Sequence, residues 1–463
     1  MSSQGRFLNP WGGLGLFLVV LGGLAVPLWL GPIAAHRPAA QCALALSGAA
    51  WAAVVWLSLG GVSGLSPRAQ SAWILLGALL LRAVVGLGDP QLSDDVHRYV
   101  WEGGLVAEGV SPYAWAPNDP HLEDYRERWS GVYSRMNHTS VSAAYPPLSQ
   151  ALFAGLTTLS GGPQARDGKA AVAAMRWAFG GLDLLVLVLL LWRFRGAPAR
   201  ALVWGWSPLV SLEFAGSAHF DSLGICLMLA ALLCLERGRK LPLVGYLLLA
   251  LGVLVKLLPL ALFPCSTQAR GKLWKGALLV LSVLCLGVLP ILWLEGGLSG
   301  IGAGLSQYAQ RWESFSLLFR ALEWPLERCF GDPLDPSHAG RLARLGVLML
   351  LALLALWQWQ RRVALIPGSF WMIAGFLLLT PTLHPWYLTW LIPFLAFRPS
   401  TAWTGLLVLA PLLYWPLTEW QARAEWIEPG WLWPAICLPF LALLIIETWG
   451  RGSRDFGHVT KTE

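Results

Sequence analysis

The chain has 463 residues, 56% of them hydrophobic and 13% charged, with a mean hydropathy of +0.57. Soluble domains carry about a quarter charged residues, so this composition excludes a soluble globular fold and indicates a polytopic membrane protein. The net charge of +7 is accounted for by Lys and Arg collecting in cytoplasmic loops, which leaves no role for nucleic acid as a partner.

Apolar segments lie near residues 11–34, 40–62, 70–88, 146–160, 171–191, 202–217, 220–235, 241–264, 276–294, 341–359, 364–381, 386–397, 401–417 and 432–449. Long apolar runs mark membrane-spanning helices, whereas closed barrels show short alternating strands. Several segments are short or broken by proline, so about 11 to 14 spans are expected from their lengths. The expected fold class is all-α, a single polytopic integral membrane domain over residues 1–463. The first run, Trp11 to Ala35, is long enough to stay as an anchor instead of being cleaved.

Basic residues give an orientation. Arg6, Arg68, the run 237–240, Arg270 to Lys275, Arg361-Arg362 and Arg451 to Arg454 flank apolar segments, and placing them in the cytoplasm puts both termini inside. The loop 89–144 then lies outside, as does a second loop at about 295–340 that carries Trp312, Phe315, Phe319 and Trp324 among charges. Both loops have partly amphipathic stretches suited to the membrane interface. Arg193, Arg195 and Arg200 conflict with this count: either 146–160 dips in without crossing, or the charge rule fails locally. Segment 241–264 contains Lys256 and Pro259 and suits a helical hairpin better than a straight span. Seven cysteines form no CxxC pair and read as small buried hydrophobes, not as a disulfide frame or a metal site.

The outer loop 89–144 carries the chemistry. Between Asp89 and Glu127 it holds nine acidic residues, among them the adjacent pair Asp94-Asp95. Ser93 is placed to cap a helix from Asp94 to about Glu108, with Gly109 as its stop. Val96, Tyr99, Val100, Gly103 and Val106 recur at helical spacing and are expected to face the bilayer. Asp95, Arg98 and Glu102 occupy another face, three and four residues apart. First-turn acids that suit the helix dipole and exposed ion pairs would account for part of this pattern. Two neighbouring carboxylates at a membrane boundary repel, and that favours a functional reading. Ionisable residues also interrupt apolar stretches at Arg82, Glu213, His219, Asp221, Lys256 and His384, where charge is costly and usually marks a pathway or polar cavity. Arg82 sits near a span end and can snorkel to the interface.

In order along the chain, Ser93-Asp94-Asp95-Val96-His97-Arg98-Tyr99, Gly109-Val110-Ser111-Pro112-Tyr113, Tyr145-Pro146-Pro147-Leu148, Trp206-Ser207-Pro208-Leu209, Ala218-His219-Phe220-Asp221, Lys256-Leu257-Leu258-Pro259 and His384-Pro385-Trp386-Tyr387 form a recognisable set. The set resembles the GT-C superfamily of membrane glycosyltransferases, in particular the bacterial polyprenol-phosphate-mannose-dependent mannosyltransferases and, more distantly, the GPI mannosyltransferase I catalytic subunit. The resemblance implies a GT-C-like helical bundle with a catalytic acidic motif in the first large outer loop. It also implies a polyprenyl-phosphate-sugar donor, with mannose as the sugar, and residence in the bacterial inner membrane with the site facing outward. Here the acidic motif is the adjacent pair Asp94-Asp95, and which of the two is the base stays open.

Transfer from such a donor needs a base for the acceptor hydroxyl and positive or donor groups for the leaving phosphate. Asp94 and Asp95 are the catalytic candidates. His97, Arg98, Tyr145, His219, Asp221, Lys256, His384, Trp386 and Tyr387 are the substrate-binding ones, with Arg98, Lys256 and His384 as phosphate contacts. No cofactor is expected, although Asp94, Asp95 and Asp221 have the hard oxygens that a divalent metal takes. The partners are the donor, a lipid or glycan acceptor and membrane lipid. The alternative function is a transporter or flippase of a glycolipid or polyprenyl-linked substrate, which would also use buried charge and broken helices.

Overall fold

A computed structural model of the chain describes residues 8–236, 242–268, 273–292, 295–311, 313–330 and 337–459. The basic run 237–240, residues 270–272 and Trp312 lie outside the described residues. The helices that matter here are, in chain order, α1 (Pro10–Trp29), α2 (Arg37–Leu57), α3 (Pro67–Leu87), α4 (Asp95–Ala107), α5 (Pro147–Leu159), α6 (Lys169–Arg193), α7 (Asp221–Glu236), α8 (Pro242–Val255), α9 (Leu273–Leu292), α10 (His338–Arg361) and α11 (Leu365–Leu379). Among the described residues eight helices are long and apolar enough to cross a membrane, and shorter apolar helices accompany them. The all-α polytopic architecture expected from composition is the one observed.

Backbone contacts divide the chain into two compact units. The first comprises residues up to Gly88, Leu190–Leu212 and the chain from His384 on, and the second comprises Asp89–Leu189 and Glu213–Leu383. In the first unit α1 and α2 approach closely at Gly23, where a Cβ would lie 2.5 Å from the Ala43 carbonyl oxygen. The expected span at 202–217 is instead a series of short turns. Pro198 and Pro208 each start a new helical piece because proline cannot continue the one before it. Its indole, Trp206, is buried against Phe17 and Trp73 and donates to the Ile74 carbonyl at 3.1 Å. Arg82 is buried within the protein and donates to the Gly205 carbonyl of the same turns instead of reaching outward.

In the second unit α4 lies against α5, with Tyr99 and Phe153 stacked at 4.6 Å. Gly103 permits this approach, since a Cβ there would sit 2.5 Å from the Phe153 carbonyl oxygen. The stripe expected to face the bilayer is protein core: Val96, Tyr99 and Val100 are buried with Phe153, Met175, Phe179 and Phe220. The same periodicity serves lipid and protein contacts equally well, so the pattern alone did not distinguish them. Helix α5 has 13 residues, about 20 Å at 1.5 Å per residue, against a hydrocarbon core of about 30 Å. That length fits the reading in which 146–160 does not cross. Segment 241–264 is also not one straight helix, because α8 ends at Val255 and a 3-10 stretch, Leu258–Gln268, follows Lys256 and Leu257.

Candidate functional site

Four stretches of the second unit form a chain of contacts that starts at the acidic pair. The first is the start of α4. Ser93 Oγ accepts the Asp95 N–H at 3.2 Å, but the cap position itself is Asp94, one residue later than expected. Gly109 closes the helix in the left-handed region at φ +79, with Val110 N–H donating to Leu105 O and Gly109 N–H to Val106 O. These two bonds make the Schellman stop for which glycine is favoured.

The second stretch is the loop 134–145. Asn137 Nδ2 lies 2.5 Å from Asp94 Oδ1 and 3.1 Å from Asp95 Oδ1, so one amide bridges both carboxylates. The following residue, His138, has φ +48, an uncommon conformation for a side-chain-bearing residue. Arg98 holds this loop. Its Nη1 donates to His138 O at 3.1 Å and its Nη2 to Val141 O, while Nε pairs with Glu102 Oε1 at 2.7 Å. Gln150 of α5 donates to the other Glu102 oxygen at 2.6 Å. Arg98, expected to meet phosphate, is thus buried with all three guanidinium nitrogens bonded inside the protein. Burial raises the Glu102 carboxyl above its usual range, opposed by Arg98 and Gln150.

The third stretch runs from Glu213 to Asp221. A π-helical turn at Leu212–Gly216 and Ala218 at φ +61 reverse the chain, and His219 N–H donates to Glu213 O at 2.8 Å. Arg176 of α6 pins the turn by donating to Ala215 O at 3.0 Å. The His219 ring is buried between two carboxylates, with Nδ1 2.7 Å from Glu213 Oε2 and Nε2 3.7 Å from Asp95 Oδ2. Burial works against a charge on this ring, yet Glu213 and Asp95 together outweigh it and lift the imidazole to about 9. It therefore stands as a cation at neutral pH.

The fourth stretch is the break after α8. Lys256 Nζ lies 2.6 Å from Asp221 Oδ1 and 5.2 Å from the Phe220 ring centroid. Its side chain keeps 22% exposure while that of Asp221 is 1% exposed, so the ammonium is the accessible end of the pair. Tyr145 packs edge-on against Tyr99 and Phe220, and its carbonyl accepts from Tyr113 Oη at 2.7 Å.

Burial pushes Asp94 up to about 7, helped by Asp95 and opposed by its own backbone N–H, then by Asn137 and His219. His97 goes the other way: burial, then Arg135, lower it to about 4, so it is neutral at pH 7. The structure therefore brings Asp94, Asp95, Arg98, Tyr145, His219, Asp221 and Lys256 into one unit around α4. His384, Trp386 and Tyr387 belong to the first unit, where the His384 and Trp386 rings stack at 4.3 Å and Tyr387 packs edge-on.

A family model for the N-terminal domain of α-(1→6)-mannopyranosyltransferases matches residues 12–269, more than half of the chain and all four stretches. This chain belongs to that mannosyltransferase family. No curated protein and no solved structure matches it.

Placed within this mannosyltransferase, the geometry sorts the charged groups. Two carboxylates, one of them with proton affinity near neutrality, meet the His219 imidazolium, and the partly exposed Lys256 ammonium pairs with Asp221 two residues further on. Such a set can accept a proton and stabilise a leaving anion. The oxygens of Asp94, Asp95 and Asp221 that would suit a divalent ion meet nitrogen groups of Asn137, His219 and Lys256. Among the described residues no cluster of three or more His, Cys, Asp or Glu is placed to hold a metal. Sequence reasoning missed Asn137, visible only as part of a glycosylation sequon, Asn137-His138-Thr139. It also gave Glu213 no site role, although an acid six residues before His219 in an apolar stretch was a usable signal.

Proposed function

We propose that this mannosyltransferase transfers mannose from a polyprenyl-phosphate donor to a hydroxyl of a lipid or glycan acceptor, at a site on the outer face of the membrane. The observation that carries the reading is the adjacent pair Asp94-Asp95 with His219 against Asp95, on the same turn as the Asp221–Lys256 pair, inside a chain of this family. The acidic pair takes the acceptor proton as general base, a contribution of about 10²–10⁴-fold. Lys256, exposed at the end of its pair with Asp221, meets the leaving phosphate and stabilises its growing charge. The displacement at the sugar C1 is single and inverting. The family's α-(1→6) product would then call for a β-configured donor.

Purified protein in nanodiscs, given polyprenyl-phosphate-mannose and a membrane lipid extract, is expected to consume the donor and form a mannoside cleavable by α-mannosidase. Alanine at both Asp94 and Asp95 should abolish this while the protein still elutes as a folded species. Passage of donor across vesicles without a new glycosidic bond would overturn the reading in favour of a transporter.

A further inference from the structure

We propose that Asn137 is a positioning residue of the transfer site: its amide locks Asp94 and Asp95 side by side and, with His219 on the far oxygen of Asp95, leaves Asp94 to take the acceptor proton. The inference rests on the transferase reading above and adds a division of labour within the pair.

The two amide hydrogens of Asn137 suffice for one bond to each carboxylate, and both go to Oδ1 atoms. The opposite amide orientation would aim a carbonyl oxygen at two acids, so the carboxylates themselves fix the flip. Asp95 is held at both oxygens, Oδ1 by Asn137 and Oδ2 by the His219 cation. Asp94 accepts from Asn137 at Oδ1 and from its own backbone N–H, and among the described residues Asn137 is its one side-chain donor. With both oxygens engaged, Asp95 holds its place beside Asp94. Asp94 has an oxygen available for an acceptor hydroxyl. In the transfer step Asp94 takes the hydroxyl proton, the acceptor oxygen bonds to sugar C1, and the C1–O bond to phosphate breaks with its electron pair leaving on phosphate.

The placement of Asn137 is built, since Arg98 ties the carbonyls of His138 and Val141 to α4 while His138 adopts its left-handed turn. The groups that act on Asp94 are Asp95 and the backbone N–H of its own helix start, Asn137 from the loop, and His219, backed by Glu213, from the turn.

The test is the pH profile of kcat for the full chain in nanodiscs, with polyprenyl-phosphate-mannose as donor and octyl α-mannoside as acceptor. Removing a donor to a carboxylate disfavours its charged form, so Asn137→Ala is expected to move the midpoint up by about one unit. A one-unit rise leaves about a fifth of the activity at pH 7 and restores it above the new midpoint. Asn137→Ser, which keeps one donor, should fall between and carries the test if the alanine variant does not fold. An unchanged midpoint in both variants, whatever the rate, overturns the proposal. Full activity in Asp94→Asn would instead overturn the acidic-pair reading on which it rests.

Discussion

Arg98 and Glu102 form a buried ion pair at 2.7 Å one helical turn apart, and its outer partners are the loop that carries Asn137 and the Gln150 amide of α5. This pair joins the acidic end of α4 to its scaffold. A charged side chain inside the fold is tolerated because every arm of it has a partner.

Removing one member should therefore cost more than removing both. Arg98→Met leaves Glu102 buried without its cation, an expense of about 3–5 kcal/mol. Replacing both residues by apolar ones of similar size is expected to recover much of that loss. Thermal unfolding in detergent reads the difference, and a double variant less stable than Arg98→Met would contradict it. Arg98→Lys keeps the charge but not the three directed donors, so it should fold better than Arg98→Met yet still transfer slowly.

Lys256 and Asp221 predict a different pattern. Asp221 is the buried member and Lys256 the accessible one. Lys256→Met is expected to lower kcat/KM by about 10²-fold or more, since it removes charge from the leaving phosphate. It should also destabilise the protein by leaving Asp221 uncompensated. Adding Asp221→Asn to Lys256→Met should restore stability without restoring activity. Recovery of activity in that double variant would show that Lys256 acts only as a structural partner.

The site was only partly legible in the sequence, for physical reasons. Asp94-Asp95, His219, Asp221 and Lys256 stand out because charge in an apolar setting is costly and needs a purpose. The motif at Ala218-His219-Phe220-Asp221 gave no sign that His219 folds back onto Asp95, because that contact depends on a π-helical turn and on Ala218 at φ +61. Asn137 carried no mark of a site role, since a single asparagine in a polar loop has no periodicity or charge to single it out. The helix α4 was found, but its apolar stripe was assigned to lipid when it packs on Phe153 and Phe220. Hydrophobic spacing reports what is buried and says nothing of whether the cover is lipid or protein.

Metal removal should leave transfer intact. Lys256 and the His219 imidazolium already supply positive charge beside the acidic pair and Asp221. Transfer measured before and after exhaustive chelation is expected to be unchanged, and rescue of a chelated sample by a divalent ion would contradict this.

Two groups make stability depend on pH, in windows that can be separated. Asp94 is raised from 3.8 to about 7 in the folded protein. The fold thus holds this proton more tightly than the unfolded chain does, and stability falls as pH rises from about 4 to about 7. Asp94→Asn, though inactive, should raise the melting temperature at pH 8 and leave it unchanged at pH 4. His219 is raised from 6.5 to about 9. Its contribution is fully present below about 6.5 and is lost as pH rises through about 9. His219→Gln should therefore lower the melting temperature at pH 6 by several degrees and much less at pH 10. Melting curves of the wild type and both variants from pH 4 to pH 10 separate the two effects. The Asp94 variant should remove the fall between about pH 4 and pH 7, leaving a constant gain above it, and the His219 variant should change chiefly the alkaline fall, since His219 also holds Asp95. If the His219 variant left the alkaline limb unchanged, the ring would not be the cation between Glu213 and Asp95.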